Sequence, residues 1–202
     1  MLLAIDTSTA ACTAALFDEA GACLASRCDV IGRGHAERLV PMIEELMAGR
    51  RAARILVGVG PGSFTGIRVG IAAAQGLAIG WGSDIGGMSS LALLAAGAGA
   101  EEPVAAAVDG GHGELFVQVF DGRTLAPISE MMNLSPAAAS EAVTAGTVIG
   151  PGAKKLVDAR GHGRAVDGWP RAEFSVRLPE ALRSLAPRPL YGRAPDAKAK
   201  AA

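Results

Sequence analysis

The sequence predicts an α/β fold in two similar lobes, on three observations. The first is an internal repeat: LLAIDTSTAACTAALFDEAG (Leu2–Gly21) resembles VAAAVDGGHGELFVQVFDGR (Val104–Arg123), setting Asp6 on Asp109, Phe17 on Phe120 and Asp18 on Asp121. The second is a later echo in the same order, VGPGS at Val59–Ser63 against IGPGA at Ile149–Ala153. The third is the order of patterns within each half. Short β-type runs joined by turns come first, and helices alternating with strands follow.

Taken in order, Leu2–Asp6 and Cys12–Asp18 read as strands around a Thr7–Ala11 turn, and Cys23–Val30 as a third strand. HAERLVPMIEELM, His35 to Met47, carries Leu39, Ile43 and Leu46 at helical spacing with Glu44 and Glu45 opposite, an amphipathic helix. Pro41 inside it predicts a bend or a late start. Ile55–Val59 is an apolar strand, Ser63–Ile79 a helix, Ile85–Met88 a strand, and Ser89–Ala98 a helix capped by its serine. In the second half Val104–Asp109, Leu115–Asp121 and Leu125–Asn133 read as strands, and Ser135-Pro136 as a helix start. Thr147–Gly150 and a helix from Gly152 follow, then a short helix over Pro179–Leu185. The expected division is an N-terminal lobe over 1–100, a C-terminal lobe over 101–193 and a disordered polar tail over 194–202.

Bulk numbers exclude several classes. Half of the residues are hydrophobic, 19% are charged and the formal net charge is −1, so the basic excess of a self-sufficient nucleic-acid binder is missing. Aromatic residues make up 4%, too few for a base-stacking surface. The N-terminus lacks the basic and apolar regions of a secretory signal, and no run reaches the roughly 18 apolar residues of a membrane span. Cys12, Cys23 and Cys28 have no C-x-x-C spacing and read as small hydrophobes in strands.

The stretch GVGPGSFTGIRVG, Gly58 to Gly70, invites a nucleotide-loop reading. It lacks the Lys-Ser or Lys-Thr of a P-loop and the G-x-G-x-x-G spacing of a dinucleotide fold. What remains is a turn that starts a helix, whose free N–H groups could attract an anion. Gly66, Gly70, Ala74 and Ala78 recur every fourth residue and form a stripe without bulk. Such a stripe either packs on the protein's own sheet or lets a partner helix approach closely.

IDTSTAACTAALFD, RGHAERLVPMIEELM, VGVGPGSFTGIRVGIAAAQGLA and the late PLYGR together resemble the TsaB family, the dimerization subunits of the bacterial tRNA threonylcarbamoyladenosine machinery. The likeness covers the first hundred residues closely and the remainder loosely. It implies a duplicated actin-like, ribonuclease H-like fold, shared with sugar kinases and heat-shock ATPases. It also implies a non-catalytic scaffold in the cytoplasm that pairs with its catalytic relative TsaD and is held with the ATPase TsaE. Together these proteins move a threonylcarbamoyl group from its adenylate to the adenosine beside the tRNA anticodon. Pairing is implied through the two helices described above, so His35, Leu39, Ile43, Leu46, Gly66, Gly70, Ala74 and Ala78 are the expected partner face. A homodimer in the absence of TsaD is the alternative use of the same face.

The His-x-x-x-His pair that signals the metal site of TsaD falls here on Ser90 and Leu94. No metal and no catalytic residue are therefore expected, and His35, His112 and His162 lie on separate elements. ATPases of this fold offer a carboxylate and glycines to nucleotide and Mg²⁺ from two hairpin turns. The matching turns are Asp6-Thr7-Ser8-Thr9 and Asp109-Gly110-Gly111-His112-Gly113, so Asp6, Ser8, Asp109 and Gly111 are the candidates for a residual cleft holding ATP or ADP with Mg²⁺ weakly. The second turn lacks the arginine that the family pattern carries near Gly111 or His112. Two competing readings stand beside the scaffold: a stand-alone small-molecule kinase or glycoprotease-type metallopeptidase of the same superfamily, and direct tRNA binding through Arg50, Arg51, Arg54, Lys154 and Lys155.

Overall fold

The computed structural model describes residues 1–192; the tail expected over 194–202 lies outside them. The first half contributes β1 (Leu2–Asp6), β2 (Ala11–Phe17), β3 (Cys23–Val30), α1 (His35–Met47), β4 (Arg54–Gly58), α2 (Phe64–Trp81), β5 (Asp84–Met88) and α3 (Ser90–Gly97). The second contributes β6 (Val104–Gly111), β7 (Glu114–Phe120), β8 (Met132–Leu134), α4 (Pro136–Ala142), β9 (Thr147–Ile149), α5 (Ala153–Arg160) and β10 (Arg164–Val166). A 3₁₀ segment, Ala172–Arg177, and a short helix α6, Glu180–Arg183, close the described chain.

The strands form two five-stranded sheets, ordered β3-β2-β1-β4-β5 and β10-β9-β6-β7-β8. Read from the other edge, the second order is β8-β7-β6-β9-β10, the same arrangement built twice. In each sheet an antiparallel meander is followed by strands parallel to the first, with Leu2 opposite Phe17 in one and Val104 opposite Phe120 in the other. This is the duplicated actin-like arrangement, and the repeat residues hold matching posts. Phe17 and Phe120 are both fully buried, and Asp18 and Asp121 each accept backbone N–H groups in the turn after their strand.

Five layers result. α1 and α2 cover the outer face of the first sheet, with Leu39, Ile43, Leu46, Ile67 and Ile71 packed on Leu3, Ile5 and Val57. α4 and α5 cover the outer face of the second. Between the sheets a shared core joins Ala4, Phe17 and Leu56 to Val108, Phe116 and Phe120 through α3, whose residues Leu91 to Ala96 are buried all round.

Helix starts follow the capping rules. Ser63 accepts from Gly66 N at 3.1 Å, Ser89 from Ala92 N at 3.2 Å, and Ser135 from Ala138 N at 3.2 Å with Pro136 in the first turn. α1 begins at His35 and runs through Pro41, so no late start is taken. The strand expected over Leu125–Asn133 shrinks to Met132–Leu134. Asp121 folds the chain into a turn by accepting from Arg123 N and Thr124 N, Leu125 sits at φ 57°, and Pro127 has no N–H to offer a ladder. β10 and the 3₁₀ segment carry no periodic signal long enough to read beforehand.

Candidate functional site

The first hairpin turn ends inside the protein. Asp6 is 0% exposed, and its carboxylate accepts from Ser8 N at 2.8 Å, Ser8 Oγ at 2.7 Å and Ser90 Oγ at 2.6 Å. Ser90 Oγ in turn accepts from Gly60 N at 3.2 Å, tying the glycine loop to α3. The loop's glycines serve close backbone approach. A side chain at Gly58 would overlap the Asp6 carboxylate, and one at Gly62 would overlap the Ser8 carbonyl, which accepts from Ser63 N at 2.7 Å. The loop therefore clasps the protein's own turn. Asp6 and Ser8, expected in a nucleotide cleft, are interior because the loop, Ser90 and the hairpin surround them.

Burial pushes the Asp6 carboxyl above the usual carboxylate range, against three hydrogen bonds and the nearby His35 that favour its charged form. Because the folded state holds this proton more firmly than the unfolded chain, the stabilising contribution is complete below the ordinary carboxylate pKa. It is lost as pH rises through the folded value. Asp6→Asn should remove that slope. In urea unfolding at pH 5 and pH 8, the parent should lose stability over that rise in pH and the variant should not, so the difference between them should move in the variant's favour at pH 8. A difference that favours the variant more at pH 5 would contradict the sign.

The positions matching the TsaD histidine pair are filled otherwise. Ser90 is committed to Asp6 and Gly60, and Leu94 is a fully buried member of the shared core. These residues do not fit a metal, since one is apolar and the other spends its hydroxyl on a carboxylate. Among the described residues no group of three or more His, Cys, Asp or Glu is placed to hold a metal ion.

The second turn is open. Asp109 pairs with Lys155 Nζ at 2.6 Å on an exposed surface, and Gly111 is exposed beside it at φ 78°. The basic residues considered for tRNA are mostly engaged within the fold. Arg50 donates to the carbonyls of Met47 and Leu46 at the end of α1, Lys154 pairs with Asp158, and Arg54 approaches Glu180.

The expected partner face needs the largest correction. His35, Leu39, Ile43, Leu46, Gly66, Gly70, Ala74 and Ala78 are all buried within the chain's own first lobe. Thr7 Oγ1 donates to Gly66 O at 2.7 Å, and a Cβ on Gly70 would lie 2.5 Å from that hydroxyl, so the stripe seats α2 on the end of β1. His35 Nε2 is buried without a hydrogen-bond partner.

The surface that α1 and α2 leave exposed is a different set. Ala72, Gly76, Ile79 and Gly80 lie outward on α2, Ile79 at 86% exposure, and added Cβ atoms at Gly76 and Gly80 would meet open space. Beside them Val40, Leu77 and Trp81 wall a cleft of about 260 Å³ between the two helices, rimmed by Glu44, Arg50 and Arg51. Sequence reasoning missed this face because α2 carries small residues on both sides. The polar Thr65, Arg68 and Gln75 marked the wet side and could have told them apart.

Comparison with known proteins follows the same lines. The profile of the family TsaD: tRNA N6-adenosine threonylcarbamoyltransferase matches residues 29–156. The tRNA threonylcarbamoyladenosine biosynthesis protein TsaB of Escherichia coli is 37% identical over 124 residues, 57% of this chain and 52% of that protein. The match thus spans about half the length of that relative. A Mycobacterium tuberculosis protein, Rv3421c, is 32% identical over 98% of this chain and 93% of its own length. The solved structure of YeaZ from Pseudomonas aeruginosa superimposes with a TM-score of 0.79 at 33% identity, over 94% of this chain and 98% of the other.

Proposed function

The chain belongs to the TsaD family as a TsaB-type tRNA threonylcarbamoyladenosine biosynthesis protein, and from that premise we propose that it is a non-catalytic scaffold. On this reading it pairs with a catalytic TsaD relative, works with the ATPase TsaE, and meets tRNA through the assembly in the cytoplasm, with no cofactor of its own. The observation that carries the reading is the filled centre. The carboxylate that ATPases of this fold turn toward nucleotide is sealed under Ser8 and Ser90, and a serine and a core leucine stand where the metal-binding pair would be. A kinase or a metallopeptidase would use that carboxylate and that pair in the open, so the filled centre supports the scaffold reading over either.

The docking face on this reading is the outer side of α1 and α2. Small residues at Ala72, Gly76 and Gly80 permit close backbone approach, and Ile79, Val40 and Leu77 supply apolar area. Gly76→Arg tests it. Arginine is a good helix former and a Cβ at this site meets open space, so the isolated variant should melt no lower than the parent. Co-purification with the TsaD relative from the same cell should fall about a hundred-fold, because a charge is driven into an apolar contact. Undiminished co-purification would overturn the reading.

A further inference from the structure

The late PLYGR motif has no part in the sealed turn or in the docking face. The chain after α6 runs back across the first lobe as an irregular strap. Leu185 pairs with Gly87 beside β5, and Leu190 N donates to Val59 O at 2.8 Å, at the mouth of the glycine loop. The next residue, Tyr191, reaches the first turns of α2. Its hydroxyl accepts from both Nε and Nη2 of Arg68, at 3.0 and 2.8 Å, and its ring stacks on Phe64 at 5.6 Å between centroids. The Arg68 guanidinium lies 3.6 Å over the Phe64 ring, so the three side chains form one stack. One residue further, Gly192 touches the other lobe: a Cβ there would lie 2.6 Å from Phe116 and 3.1 Å from Met131.

We infer that Tyr191 is a positioning residue, whose clasp on Phe64 and Arg68 staples the start of α2 to the second lobe and thereby sets the pose of the helix offered to a partner. This rests on the scaffold reading for its consequence but not for its geometry. Two reciprocal backbone hydrogen bonds between Leu185 and Gly87 and one from Leu190 to Val59 hold the strap to the first lobe, and beyond them the Arg68 guanidinium, with two donors on the Tyr191 hydroxyl, is the side-chain tie at its end. Glycine at 192 lets the chain pass over Phe116. Phe64 and Tyr191, 53% and 45% exposed, pack on each other rather than in a core.

The test compares Tyr191→Phe, Arg68→Ala and the double variant by amide hydrogen exchange of the isolated chain and by titration against the TsaD relative. Tyr191→Phe keeps the ring stack and loses only the hydroxyl. Exchange over residues 60–70 should rise roughly ten-fold in either single variant, the size expected for a lost charge-assisted hydrogen bond. The double variant should be no worse than the worse single one, because both break the same tie. Affinity should fall about five- to ten-fold, with the melting temperature within a few degrees of the parent. Unchanged exchange over 60–70, or additive effects, overturns the inference. Gly76→Arg serves as the control: if it leaves affinity intact while the exchange effects appear, the docking face fails and the staple stands.

Discussion

Gly66→Ala is expected to destabilise the protein by about 3 kcal/mol, although alanine is the better helix former by roughly 1 kcal/mol. The new Cβ would overlap the Thr7 carbonyl oxygen, with Ser63 3.3 Å away on the other side. Thr7 cannot retreat, because its hydroxyl is bound to Gly66 O and its neighbours Asp6 and Ser8 are each pinned by hydrogen bonds. The helix would have to lift off β1 and lose the seat of Ile67 and Ile71. Gly76→Ala in the same helix is the matched comparison. Its Cβ would meet nothing, so propensity acts alone and stability should rise by about 0.8–1 kcal/mol. Chemical denaturation of both variants decides it. Equal shifts of one sign would mean that the two faces of α2 are not the buried and exposed pair described.

Phe17→Ala and Phe120→Ala should each cost about 3–5 kcal/mol, the range for emptying a fully buried aromatic site. The more informative outcome is the shape of the transition. Both rings belong to the core shared by the two sheets, together with α3, which hydrophobic contacts join to each. Removing either should weaken one common transition rather than unfold one half alone. Urea unfolding followed by far-UV circular dichroism and by fluorescence of Trp81 and Trp169 should give coincident midpoints in the parent and in both variants. A phenylalanine variant with two separated midpoints would show that the lobes hold themselves up independently.

These expectations also explain the division of labour in the fold. Helix α2 must be smooth inward, where Gly66 and Gly70 meet Thr7, and on the scaffold reading smooth outward too, where Gly76 and Gly80 face solvent. Two demands on one helix account for its unusual load of glycine, which local propensity alone would disfavour. The filled centre supports that use, since Asp6, Ser90 and the glycine loop hold the base of α2 in one place.

The features legible along the chain are local or repeated. The short β-type runs, the amphipathic spacing of Leu39, Ile43 and Leu46, the serine caps at 63, 89 and 135, and the echo of Asp6–Asp18 in Asp109–Asp121 all act through neighbours along the chain or through duplication. They were legible for that reason. Long-range contact was not. Whether Asp6 opens into a cleft or closes under Ser90, and where Tyr191 lands, depend on segments distant in sequence, Arg68 and Tyr191 being 123 residues apart, that meet only in the folded protein. On α2 the small residues occupy both faces, so their stripe alone prefers neither side; the polar Thr65, Arg68 and Gln75 mark the wet one, and packing against β1 and β4 seats the other.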